Sequence, residues 1–189
     1  MKIISKIILK LTGWKIIGGI SENIPKCVII AAPHTSNWDL FYGRLGLYKM
    51  GVKLRFLIKK EVFFFPFNIL LKSIGGIPVD RSKNHNMVDA MSNLFKQRNK
   101  LHLMFAPEGT RKQVDYWKTG FYHVACQANV PIALGFIDYS VKVGGIVSII
   151  YPTGNLVEDL KSIENFYMQF TGKYPQKIKN SIIHPKYLS

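Results

Sequence analysis

Acidic residues are scarce in this chain: 11 Asp plus Glu stand against 26 Lys plus Arg in 189 residues, a formal charge of +15 at neutral pH. A partner with negative charge is the expectation, and nucleic acid, an anionic membrane, and acidic small molecules or carrier proteins all qualify. Cysteine is scarcer still. Cys27 and Cys126 have no paired spacing and no set of histidines to complete a metal site with them, which excludes a disulfide framework and speaks against a cysteine-ligated metal, and makes a reduced, cytosolic compartment the default. No apolar run reaches the roughly 20 residues that a spanning helix needs. The apolar start, residues 1–19, is interrupted by Lys2, Lys6, Lys10 and Lys15 and has no small-residue cleavage site, so it reads as neither a signal peptide nor a membrane span. Internal repeats, low-complexity tracts and linkers are absent, which leaves one domain, and 48% hydrophobic content suffices for its core. No helix-turn-helix, RNP, KH or zinc-finger pattern is present, and the aromatic residues cluster in apolar runs instead of alternating with basic ones, which speaks against nucleic acid.

What is present begins with an amphipathic helix. Lys2, Lys6 and Lys10 recur opposite Ile3, Ile4, Ile7, Ile8 and Leu11, Gly13 stops the pattern, and Trp14 follows. Such a helix suits the membrane interface, with aliphatic side chains at the acyl boundary, lysines at anionic headgroups and Trp14 at headgroup depth; its alternative is a helix packed on the core. A second apolar stretch, Val62 to Leu71, is divided by Pro66 and reads as buried core, as a wall of an acyl-chain groove, or as a surface that dips into a membrane.

Short β-branched and aromatic runs predict strands near 26–32, 54–59, 101–106, 131–138 and 145–151. Helical periodicity fits about 38–50, 86–97, 119–128 and 156–170. This alternation implies an α/β domain with a largely parallel sheet covered by helices on both faces, whose functional loops follow the carboxyl ends of strands. The expected division is an interface helix over 1–19, the domain proper over 20–171, and a polar surface tail over 172–189.

The chemistry sits in two such loops. His34-Thr35-Ser36-Asn37-Trp38-Asp39 closes the run 28–32, and Pro107-Glu108-Gly109-Thr110-Arg111 closes the run 101–106. Neutral imidazole takes a proton from a hydroxyl near pH 7, and a carboxylate five residues beyond can fix its tautomer and stabilise the imidazolium. The alternative is a loop histidine and an aspartate that serves a helix N-terminus. Arg81, which ends Gly75-Gly76-Ile77-Pro78-Val79-Asp80-Arg81, and Arg111 each carry a guanidinium suited to bidentate phosphate contact, or to a surface ion pair.

Four segments in order, His34 to Asp39 with its H-x4-D spacing, Gly76 to Arg81, Phe105 to Arg111, and Val130-Pro131-Ile132, resemble the four blocks of the glycerolipid acyltransferases, the lysophosphatidic acid acyltransferase superfamily. The chain departs from them at Lys112, where Ser is frequent, and at Gly135, where a further Pro is frequent. The resemblance implies a glycerol-3-phosphate acyltransferase-like fold. It also implies transfer of a fatty acyl group from acyl-CoA or acyl carrier protein to a lysophospholipid hydroxyl, 1-acyl-glycerol 3-phosphate foremost, with no resident cofactor or metal. It assigns His34 and Asp39 to catalysis, Arg81, Glu108, Gly109, Thr110 and Arg111 to the acceptor phosphate, and Pro131 to an apolar wall. A carboxylate does not bind a phosphate, so Glu108 is expected to orient Arg111, Arg81 or the acceptor hydroxyl. The implied location is peripheral, on the cytoplasmic side of an anionic membrane. Another lysolipid or an amino-acid lipid as acceptor, thioester hydrolysis by water, and a non-catalytic basic binding module are the alternatives.

Overall fold

The computed structural model describes residues 1–80, 87–178 and 181–188. Seven strands form one sheet in the order β1-β7-β6-β2-β5-β3-β4. They span β1 Lys15–Gly18, β2 Lys26–Ala32, β3 Leu54–Lys59, β4 Gly76–Val79, β5 Leu101–Phe105, β6 Ile132–Asp138 and β7 Val143–Ile150. The α-helices are α1 Lys2–Leu11, α2 Asn37–Met50, α3 Phe67–Ser73, α4 Met87–Lys96, α5 Gly120–Ala128 and α6 Leu156–Tyr167. Neighbouring strands are parallel except β6 and β7, which run antiparallel with a bulge at Leu134/Gly135.

β2 lies in the middle, between β5 and β6, and Cys27 through Ile30 are fully buried. An unbroken apolar run is what a parallel strand covered on both faces requires. On one face Val28, Ile30 and Ala32 meet residues of α4, α5 and α6, among them Phe95, Phe121 and Leu160. On the other, Cys27 and Ile29 meet Leu47 of α2 with Ala133 and Ile146. α1 stacks outside α2, and Leu9, Trp14, Leu45 and Ile137 close a third cluster.

The five expected strands and four expected helices occur, most with bounds shifted by one to three residues. Two short strands, β1 and β4, add to the expected set. Both are edge strands, too short and too exposed to show alternation, and Pro78 in β4 is tolerated because an edge strand leaves one row of N–H groups unpaired.

Trp14 departs from its expected headgroup position, since it is 5% exposed inside the third cluster. The local cause is the end of α1. Gly13 at φ 77° lets the amide of Trp14 bond back to Leu9 and that of Gly13 to Lys10, which turns the indole onto Leu9. The stretch around α3 is not core either: Phe64, Phe65, Phe67, Ile69 and Leu70 are all exposed.

The tail is not all surface. Ile182 and Ile183 are buried, the Ile182 amide donates to Glu164 at 2.7 Å, and its carbonyl accepts from Trp117.

Candidate active site

β2, β5 and β6 are parallel neighbours whose carboxyl ends lie side by side, Ile30 paired with Phe105 and Ala32 with Phe136. The loops that leave them carry His34, Glu108 and Tyr139, so the sheet itself gathers three side chains far apart in sequence.

His34 precedes a helix start that determines where Asp39 points. Ser36 is the N-cap of α2 and accepts from the Trp38 amide, while the Asp39 carboxylate reaches back to the Ser36 amide in a capping box. Asp39 Oδ2 accepts from the amides of Thr35 and Ser36, each at 2.7 Å, and lies 3.4 Å from His34 Nδ1. Asp39 Oδ1 accepts from the Tyr139 hydroxyl at 2.7 Å. The carboxylate is 7% exposed yet fully engaged, so its charge is held without bulk water. With Nδ1 on Asp39, His34 Nε2 is left without a partner among the described residues.

Glu108 engages the histidine loop. Its two oxygens accept from the His34 amide at 3.0 and 3.2 Å, which ties the loop after β5 to the histidine loop. Burial pushes its carboxyl above the usual range, an effect opposed by the His34 amide and imidazole and increased by the Asp39 charge. Gly109 holds φ 68°, and a Cβ there would stand 3.2 Å from Lys118 Nζ, so glycine leaves room for that ammonium. Thr110 caps its own turn by accepting from the Lys112 amide, and Arg111 is exposed at the turn's end. Arg81 lies outside the described residues.

Pro131 is at the wrong end of the sheet. Its carbonyl accepts from Val28 at 3.0 Å, at the amino end of β2 and on the order of 20 Å from His34 at about 3.3 Å per residue. The wall residues come instead from α2 and the strand face beneath it. A cavity of about 170 Å³ opens beside Pro33, His34 and Asp39 and runs between Gly43, Gly46 and Met50 of α2 and Ile29, Met104 and Ile146 of the sheet. Its lining is apolar, and residues 62–71 take no part in it.

Cations reach the site from segments outside the expected set. Lys177 Nζ donates to the Thr35 carbonyl at 3.2 Å, Lys173 stands 5.0 Å from the Trp38 ring centroid, and the Tyr174 amide donates to Thr35 Oγ1. The polar composition of the tail suits a surface segment and carries no signal that points to these lysines. For Tyr139 a signal existed: it follows directly on a predicted strand, at the same sheet end as His34. Among the described residues no group of three or more His, Cys, Asp or Glu side chains is placed to hold a metal ion.

Residues 16–133 match the family model described as Acyltransferase. No curated protein matches the chain. Among solved structures, the crystal structure of the 1-acyl-sn-glycerophosphate (LPA) acyltransferase, PlsC, from Thermotoga maritima shares the fold at a TM-score of 0.60 and 18% identity, over 89% of this chain and 75% of that one.

Proposed function

The chain belongs to the acyltransferase family, and from that premise we propose that it transfers a fatty acyl group from acyl-CoA or acyl carrier protein to the hydroxyl of a lysophospholipid, 1-acyl-glycerol 3-phosphate giving phosphatidic acid. The observation that carries this reading is the His34–Asp39 pair at the mouth of an apolar cavity. His34 Nε2 takes the acceptor proton as the hydroxyl oxygen attacks the thioester carbonyl. Asp39 stabilises the imidazolium, which then protonates the departing thiolate as the tetrahedral intermediate collapses. The cavity receives the acyl chain. Arg111, Lys118 and Lys177 supply the cationic rim for phosphate. A covalent acyl-cysteine has no support, because Cys27 is buried with its thiol pushed up to about 12 and Cys126 sits on α5, away from the loops of the site.

The membrane supplies the lipid. Exposed Ile3, Ile4, Ile7 and Leu11 beside Lys2, Lys6 and Lys10 support peripheral docking on an anionic, cytoplasmic leaflet. Among the described residues no helix is long and apolar enough to cross a membrane.

The test is release of free thiol from a long-chain acyl-CoA with and without lysophosphatidic acid. Acceptor-dependent release is expected, and His34→Ala lowers it by about 10²–10⁴-fold. Release that ignores the acceptor means hydrolysis, and a His34→Ala variant that keeps more than roughly a tenth of the rate removes the base from the mechanism.

A further inference from the structure

We propose that Tyr139 is a positioning residue for catalysis, the third member of a Tyr139–Asp39–His34 chain that sets the carboxylate behind the histidine. The proposal rests on the acyl transfer assigned above to His34. Tyr139 lies beyond residues 16–133, the part of the chain that matches the family model, so no block of that match assigns it a role.

The geometry is specific. Two backbone amides and His34 share Asp39 Oδ2, which among the described residues leaves Oδ1 to a single donor, the Tyr139 hydroxyl at 2.7 Å. Without that donor Oδ1 would be a nearly buried anionic oxygen with no partner, which is costly. Tyr139 is itself held in place. Its amide donates to the Thr171 carbonyl, and Trp14, which stacks on Tyr42 at 4.6 Å, meets its ring edge-on at 5.0 Å. Burial and the bond to Asp39 push the Tyr139 hydroxyl well above the usual phenol range, so it remains a donor at every pH at which the protein works.

A donor on Oδ1 spreads the charge that the imidazolium would otherwise feel. Its removal leaves a more concentrated negative charge 3.4 Å from Nδ1, so the ring holds a proton to higher pH and is a free base over less of the range. Among the described residues, the other groups that face the pair are Glu108 against the His34 amide and Lys177 against the Thr35 carbonyl; Tyr42 and Tyr174 face Tyr139. All are unchanged in Tyr139→Phe, so a difference between the two proteins reads the hydroxyl alone.

The experiment compares wild type, Tyr139→Phe, Asp39→Asn and the double variant by kcat, both KM values and the pH dependence of kcat/KM, with the His34 imidazole followed by NMR. In Tyr139→Phe, kcat falls on the order of tenfold with both KM values unchanged, the acidic limb moves to higher pH, and His34 titrates at higher pH than in wild type. In the Asp39→Asn background the same change does nothing further, since its effect passes through Asp39. A wild-type titration and profile in Tyr139→Phe overturn the proposal, as does a full additional loss on top of Asp39→Asn. A raised acceptor KM with kcat intact also overturns it, because Tyr139 would then be touching substrate. Failure of acyl transfer looks different: a shifted His34 titration in a protein without acceptor-dependent thiol release sinks that reading and leaves the three-residue chain standing.

Discussion

Asp39 shows how one side chain serves folding and chemistry at once. The carboxylate that closes the capping box of α2 is the one placed behind His34, so the stability of the helix start and the geometry of the proposed base cannot be varied separately. Glu108 is the counterpart on the next strand, a carboxylate used as a clasp on a backbone amide. Its pH behaviour follows in sign from its raised pKa. The folded protein binds this proton more readily than the unfolded chain, so the stability it contributes is fully present below about 4.5 and is lost as pH rises through the raised value. Glu108→Gln removes that component, and urea midpoints measured from about pH 4 to 7 are expected to show a flatter dependence in the variant. Parallel curves for the two proteins would contradict the assignment of burial as the dominant cause.

At the scale of elements, α1 has three faces instead of two. Ser5 and Leu9, with Ile8 half-buried beside them, pack inward; Lys2, Lys6 and Lys10 occupy one outer side; Ile3, Ile4, Ile7 and Leu11 occupy the other, each more than half exposed. The choice between a core helix and an interface helix is therefore answered by both, on different faces. Lysines near an anionic surface are worth about 1 kcal/mol each and are screened by salt, whereas aliphatic burial is not. Replacing the three lysines with Glu is expected to abolish flotation with anionic liposomes at low salt. Replacing Ile4, Ile7 and Leu11 with Ser is expected to weaken it at every salt concentration, with the fold intact because these side chains face outward. Undiminished flotation in both variants would shift the anchor to α3 and the turn before it, where exposed Phe65, Phe67, Ile69 and Leu70 have Lys72 beside them and Lys59 and Lys60 just ahead.

For the whole molecule, the tail decides more than its composition suggests. Residues 172–178 lie against the histidine loop through Gly172, Tyr174 and Lys177, all of which meet Thr35, and Ile182 ties α6 to the loop after β5. Ile183 is 4% exposed, so Ile183→Ala is expected to cost about 2–4 kcal/mol in denaturant unfolding, against the few tenths typical of a surface site. A change within about 0.5 kcal/mol would return the tail to the surface role that its lysines and prolines suggested.

The sequence by itself determined the α/β alternation, the buried central strands and the two strand-end loops. These are recorded in local pattern: unbroken apolar runs for strands covered twice, helical periodicity between them, and a capping box spelled out by Ser36 and Asp39. It also brought His34 and Asp39 together, since five positions across a helix start are a local matter. Only the tertiary structure decided that Glu108 clasps the His34 amide, that Tyr139 completes Asp39, that Pro131 stands at the far end of the sheet, and that tail lysines reach Thr35. Each of those contacts joins segments from 74 to 142 residues apart, or depends on which end of a strand a residue occupies. That depends on strand order and register, which follow from how the whole apolar surface is buried and leave no local periodicity to read.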